Sequence, residues 1–268
     1  MSRRLRQLFS HDLRQGKPPS VPAGERWYAI GDVHGRHDLL AALRDEIEAD
    51  DAEAAEARTT IVLLGDLIDR GPDSAGVIAA VREWQSRRTV RCLAGNHEEM
   101  FLGSFTDPSV LRAFLRHGGR ETLASYGIAT TSTAEADLPA IQRAMASHVR
   151  VADRRFLAEA EDHIVAGDYL MVHAGIRPDR PLAEQTRADK RWIREPFLHH
   201  EGPLDYMVIH GHSITAEVCV TPNRIGIDTG AFRTGRLTAL VLEGDRRRVI
   251  QAVVHSDSRI LIEKGDRI

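Results

Sequence analysis

Cysteine is scarce: Cys92 and Cys219 are the two among 268 residues. They make no disulfide framework and match no Cys-x-x-Cys spacing, which points to a reducing, cytoplasmic setting rather than a secreted one. A basic excess is also lacking. Lys and Arg total 36 against 39 Asp and Glu, a formal net charge of −3, whereas a dedicated nucleic-acid binder carries the opposite balance. No apolar run approaches the ~18 residues of a membrane span, so none is expected. The opening stretch MSRRLRQLFSHDLRQGKPP is basic and mildly amphipathic but lacks the apolar core of a signal peptide, so residues 1–25 read as a tail. Aromatics make up 5%, leaving few groups to stack on a nucleobase. Repeats, low-complexity tracts and long linkers are missing as well, and the length suits one large domain or two small ones.

What is present is a regular alternation. Strand-like runs RWYAI (26–30), TTIVLL (59–64) and TVRCLA (89–94) each end at a glycine. Between them, Leu39, Leu40, Leu43 and Ile47 share one helical face, as do Val77, Ile78, Val81 and Trp84. Strands alternating with helices predict an α/β fold with a parallel sheet covered by helices. Residues 98–165 carry helical patterns without a strand and read as an inserted helical cap. Strand patterns return at DYLMVH (168–173), DYMVIH (205–210), RIGID (224–228), LTALVLE (237–243) and RRRVIQAVVH (246–255), read together as a partly antiparallel second sheet.

The polar residues fall at the strand ends. Asp32 and His34 follow the first strand, Asp66 and Asp69 the second, Asn96 and His97 the third; His173 and the group His210-Gly211-His212 come later. In parallel α/β sheets, ligands collect beyond the carboxyl ends of the strands. Each residue alone has a plainer reading, as a helix cap, a hydrogen-bonded core histidine or a turn residue. Six donors at three successive strand ends do not, because carboxylates packed together need a cation. Asp, His and Asn donors without thiolate suit Mn²⁺, Fe²⁺ or Zn²⁺. A carboxylate bridging two ions ~3.5–4 Å apart forms the clamp used in phosphoryl displacement.

GDVHG (31–35), GDLIDRG (65–71) and GNHE (95–98), at intervals of about thirty residues, resemble the three signature blocks of the calcineurin-like metallophosphoesterases. GDLIDRG and GNHE resemble most its phosphoprotein phosphatase branch, which includes serine/threonine phosphatases, the lambda phosphatase and bacterial diadenosine tetraphosphatases. The resemblance spans residues 27 to about 240. It implies a β-sandwich of two mixed sheets flanked by helices, four layers αββα, over residues 26–268 with a helical insert at about 98–165. It implies two divalent ions, Mn²⁺ foremost, with Fe, Zn or Mg as the others. Asp32, His34 and His212 would hold one ion, Asn96 and His173 the other, and Asp66 would bridge them. His97 would be the general acid, oriented by Asp69, and hydrolysis would be direct attack of metal-bound hydroxide. Arg70, with Asn96 and a second arginine, would bind the phosphate; KRWIREPF (190–197) makes Arg194 the candidate, ahead of Arg177 and Arg191. GIDTGAFRTGRLTAL resembles the closing strands, with Asp228 and Thr229 behind the site, although AFRTGR holds less glycine than that loop usually does. His210 reads as a hydrogen-bonded residue, and His117 either lines the cleft or ends a helix. The substrate expected is a phosphorylated protein, on serine or threonine first and tyrosine second. The alternative is a dinucleoside polyphosphate, and the remote one an inactive phospho-binding scaffold.

Overall fold

In this computed structural model residues 17–130, 137–265 and 268 are described; of the tail expected over 1–25, residues 1–16 lie outside them. Strands β1 (Glu25–Ile30), β2 (Arg58–Leu63) and β3 (Val90–Cys92) pair in parallel, with Ile30 level with Leu63 and Leu63 with Cys92. The three strand ends therefore stand side by side, and the loops leaving them face one another. Helices α1 (His37–Glu53) and α2 (Ser74–Gln85) make the crossovers. They bury the predicted faces, Leu39 to Ile47 on α1 and Val77 to Trp84 on α2, against the sheet. The Asp73 carboxylate starts α2 by accepting the Gly76 N–H at 2.8 Å.

After β3 the chain turns helical through α3 (Asn96–Gly103), α4 (Pro108–Phe114), a π turn over Leu115–Gly119, α5 (Arg120–Ser125), α6 (Leu138–His148) and α7 (Val151–Ala158). The expected strand-free insert ends earlier than 165, because Ile164–Ala166 form β4. Phe101, Phe114, Leu123, Met145 and Leu157 join the cluster of Leu39, Ile47 and Val77. The insert thus thickens the helical layer over the first sheet.

The second sheet runs β4-β5-β6-β8-β7, with β5 (Tyr169–Val172), β6 (Met207–His210), β7 (Cys219–Val220) and β8 (Arg224–Gly226). Its three central strands are parallel, with Val172 level with His210 and His210 with Gly226. Helix α8 (Arg187–Trp192) precedes β6, and the short α9 (Ala231–Thr234) leads into β9 (Arg236–Glu243), β10 (Arg246–Val254) and β11 (Ile260–Gly265). These last three strands correct the sequence reading. They join the first sheet, in the order β11-β10-β9-β1-β2-β3, with β9 antiparallel to β1, and do not belong to the second. The physical reason is double burial: Leu237, Ala239 and Val241 face the helices while Leu240 and Leu242 face the other sheet. A strand apolar on both faces carries no mark of which sheet it enters.

The sheets meet through Trp27, Ala29, Val62 and Leu64 against Tyr169, Met171, Ile209 and Ile225. Outside the second sheet, Leu170, Val172 and Val208 pack on Ile176 and Phe197, with Leu182, Ile193 and Leu204 against them. The result is two mixed sheets between helical layers. A polar network pins α1 to the first sheet. Arg26, 1% exposed, donates to Asp51 at 2.8 Å and to Glu243 at 3.2 Å. Arg248 and Tyr28 both donate to Asp50.

Candidate metal centre

Both sheets send their carboxyl ends to the same place. Asp32 and His34 arrive from β1, Asp66, Asp69 and Arg70 from β2, Asn96 and His97 from β3, His173 from β5, and His212 from β6. His34, Asp66, Asp69, Arg70 and His212 all have φ between 46° and 74°, the left-handed region that side chains rarely adopt. The loops are over-determined by hydrogen bonds. Val33 and His34 N–H both donate to the Asp66 carbonyl, Arg70 N–H donates to Gly118, and His212 N–H donates to the Asp32 carboxylate at 3.0 Å. Glycine is required where the loops touch: a Cβ at Gly211 would lie 2.0 Å from Asp32 Oδ1, and one at Gly95 2.1 Å from Asp66 Oδ1.

Histidine orientation follows from the outer hydrogen bonds. His34 Nδ1 donates to the Ile68 carbonyl and His173 Nδ1 to the Leu64 carbonyl, each at 2.8 Å, which leaves the Nε2 lone pairs facing inward. His34 Nε2 lies 3.6 Å from Asp66 Oδ2, and His173 Nε2 lies 3.4 Å from Asp66 Oδ1. Asn96 Oδ1 is 3.1 Å from His173 Nε2. Among the described residues, two groups have ligand atoms within 4.8 Å of one another: His34, Asp66 and His97, and Asp66, His173 and His212. Asp66 belongs to both. His212 is grouped with His173 through its ring and touches the Asp32 carboxylate through its backbone N–H, and His97 lies within ligand reach of Asp66.

Electrostatics agree with a cation-binding purpose. Asp32, Asp66, Asp69, Glu98 and Asp228 are all buried, at most 2% exposed. Burial, then Asp228 and Asp66, hold the Asp32 carboxyl well above the usual range. Burial also favours a neutral Asp66, but His173 and His97 outweigh it and hold its carboxyl well below that range. Burial lowers His34 and His212 to about 3, keeping both in the neutral form that binds metals. Among the described residues no N–H or hydroxyl group reaches Oδ2 of the buried Asp228 carboxylate, which meets the Asp32 carboxyl. These residues fit divalent ions in donor type and charge, and the neutral His34 and His212 have the protonation state that ligation needs.

His97 has separate surroundings. Its Nδ1 donates to Asp69 Oδ2 at 2.6 Å, and its Nε2 accepts from Arg70 at 2.9 Å. Burial works against a charged His97, but Asp66 and Asp69 prevail and raise it. Asp69 is itself fixed from the insert, since the Thr122 hydroxyl on α5 donates to Asp69 Oδ1 at 2.6 Å. Burial raises Asp69 to about 6.

Of the arginine candidates, Arg70 reaches His34 and His97 at 2.9 Å. Arg194 sits exposed on the rim, 3.3 Å from the His212 carbonyl. Arg191 is engaged by Asp162 and Glu99, and Arg177 by Asp179. His210 turns to the outer face against Phe197, its ring lowered to about 4 by burial. His117 is exposed, at the kink whose Gly118 carbonyl binds Arg70. Three contributors have no assigned role in the sequence reading. Glu98 accepts the N–H groups of Asp66, Leu67 and Gly95 at 2.8–2.9 Å and ties two loops together; its only signal was the last letter of GNHE. Thr122 left no signal. Phe232, in the AFRTGR stretch, stacks on Arg70 at 4.8 Å and meets the His34 ring edge-on.

Residues 26–226 match the family model described as calcineurin-like phosphoesterase. The chain belongs to that family. This calcineurin-like phosphoesterase is 38% identical to serine/threonine-protein phosphatase 1 of Salmonella typhimurium, over 79% of its own length and 89% of the relative's. It is 27% identical to the asymmetrical bis(5′-nucleosyl)-tetraphosphatase PrpE of Bacillus velezensis, over 78% and 86%. The solved structure of a cold-active protein tyrosine phosphatase shares its fold, with a TM-score of 0.57 and 19% identity, covering 91% of this chain and 81% of that one. The calcineurin-like phosphoesterase is therefore a hydrolase of phosphoesters with groups placed to bind divalent metal. No helix among the described residues is long and apolar enough to cross a membrane.

Proposed function

We propose that residues 26–268 work as one catalytic unit, a two-metal phosphomonoesterase that removes phosphate from serine and threonine side chains of proteins. The observation that carries the chemistry is Asp66 shared by two ligand groups beside the His97–Asp69 pair. We assign Asp32, His34 and Asp66 to one ion and Asp66, Asn96, His173 and His212 to the other. This moves His212 to the second ion, because its ring stands 5.1 Å from that of His173. When bound, Mn²⁺ or a similar ion supplies Lewis-acid stabilisation of phosphate oxygens and activates water.

The chain's own residues do the rest. The planar fork of Arg70 matches two phosphate oxygens, and Arg194 approaches from the rim. When Arg70 turns from His97 Nε2 to the phosphate, that nitrogen is free to hold a proton for the leaving oxygen. Asp69 keeps the ring turned and favours its charge, the task of the carboxylate in a carboxylate–histidine pair.

For the substrate, the higher identity to the Salmonella protein phosphatase favours phosphoprotein. Similarity to the Bacillus tetraphosphatase supports the second reading, cleavage of a dinucleoside polyphosphate. A silent scaffold is disfavoured because the sequence retains every proposed ligand, the acid and Arg70. A cytoplasmic setting suits the two free cysteines. With Mn²⁺ present, kcat/KM for a phosphoserine or phosphothreonine peptide should exceed that for diadenosine tetraphosphate by at least an order of magnitude. A preference of that size for the dinucleotide rejects the protein-phosphatase reading and installs the second.

A further inference from the structure

Phe232 lies in AFRTGR, the stretch with less glycine than the resemblance predicts, and no step of the reaction above uses it. It sits on α9, a single turn between Gly230 and Gly235, both left-handed with φ of 72° and 70°. Arg36, from the loop after β1, donates to the Ala231 carbonyl at 2.9 Å, and the Thr234 hydroxyl donates to the Thr229 carbonyl at 2.7 Å. The partly buried ring is therefore carried on a fixed turn.

What the ring meets is Arg70, whose guanidinium carbon lies over its face, 4.8 Å from the centroid. The Arg70 stem is confined by the insert. Its N–H donates to the Gly118 carbonyl at 2.9 Å, and a Cβ at Gly118 would lie 2.5 Å from Arg70 Cγ. Among the described residues no carboxylate pairs with Arg70, whereas Arg191 is held by Asp162 and Glu99, and Arg177 by Asp179. The difference is chemical. A carboxylate would occupy the in-plane N–H groups that a phosphate needs, and would repel the phosphate as well. An aromatic face attracts the cation from above its plane and leaves the fork open. Such a stack has no donor–acceptor axis, so the guanidinium can slide over the ring from His97 Nε2 toward a phosphate and keep its support.

We infer that Phe232 is a positioning residue for phosphate binding, its face holding the Arg70 guanidinium beside His34 and His97 with the N–H fork free. The inference rests on the reading of Arg70 as a phosphate ligand. It requires that the aromatic face, beyond its apolar bulk, sets phosphate affinity, and that it acts only through Arg70.

The test is calorimetric titration of the Mn²⁺-loaded protein with inorganic phosphate, alongside KM and kcat for p-nitrophenyl phosphate. Phe232→Leu keeps apolar bulk and loses the ring. It should weaken phosphate binding and raise KM by about threefold to tenfold each, with kcat lowered less than about twofold. Phe232→Tyr should restore both. In an Arg70→Ala background, Phe232→Leu should change phosphate affinity no further. Wild-type phosphate affinity in Phe232→Leu overturns the inference, and so does an undiminished effect of that change in Arg70→Ala. A Phe232→Leu protein that takes up less Mn²⁺ or fails to fold also overturns it, because the ring then serves His34 or the fold. Wild-type phosphate affinity in Arg70→Ala alone rejects Arg70 as a phosphate ligand, and the inference falls with that reading.

Discussion

At the scale of single residues, the site is built under strain. Five of its side chains stand on left-handed backbone, a conformation costing a non-glycine residue roughly 1–2 kcal/mol. Local hydrogen bonds hold them there. The Asp69 carboxylate illustrates the point, fixed on one oxygen by His97 and on the other by Thr122. Thr122→Val keeps the shape and deletes the hydroxyl, so Asp69 should turn and His97 lose its aim. An acid matters most when the leaving oxygen is poor. The variant should therefore lose about tenfold or more in kcat/KM on an alkyl phosphate such as phosphoserine, and less than about threefold on p-nitrophenyl phosphate. Thr122→Ser should restore the difference. Equal losses on both substrates would deny Thr122 this role. The motif letters of GDVHG, GDLIDRG and GNHE were legible because their spacing placed them at adjacent strand ends. Thr122 and Phe232 were not legible, for they reach the site only through packing of segments far away in sequence.

At the scale of elements, the first three strands could be read from apolar periodicity to within a residue or two, and the buried faces of the two crossover helices residue by residue. The closing strands could not be sorted between sheets, since Leu240 and Ala239 are buried on opposite faces of one strand. Helix α1 shows a second device hidden from periodicity, its acidic end clamped to the sheet. Burial tends to raise Asp50 and Asp51, but Arg248 and Tyr28 outweigh it for the first, and Thr59, Arg26 and Arg88 for the second. Both carboxyls consequently lie below their usual range. A depressed folded pKa means that the unfolded chain takes up the proton first. The stabilisation is complete above the ordinary carboxylate pKa of about 3.9 and is lost as pH falls through the lower folded values. Urea midpoints measured from pH 6 to pH 3 should fall below about pH 4, and Asp51→Asn should show a shallower fall. An identical slope in the variant would remove Asp51 from this account.

At the scale of the molecule, the buried carboxylates make the fold dependent on what binds it. Stripping with a chelator should abolish phosphatase activity and lower the melting temperature, and added Mn²⁺ should restore both. At a hundredfold excess over Kd, each ion stabilises by about 2.7 kcal/mol. A melting temperature indifferent to metal would contradict the design read from Asp32, Asp66 and Asp228. The sheet order has a further consequence, in the time domain of synthesis. β1 lies in the interior of its sheet, and its second neighbour, β9, supplies Glu243 to Arg26 across 217 positions of sequence. A ribosome makes the loops bearing Asp32, Asp66 and His97 long before it makes that neighbour. Until translation reaches β9, the nascent chain carries one open, apolar edge along β1, the kind of edge that recruits foreign strands. The loops bearing Asp32, Asp66 and His97 thus precede, by most of the chain, the strand that closes their sheet.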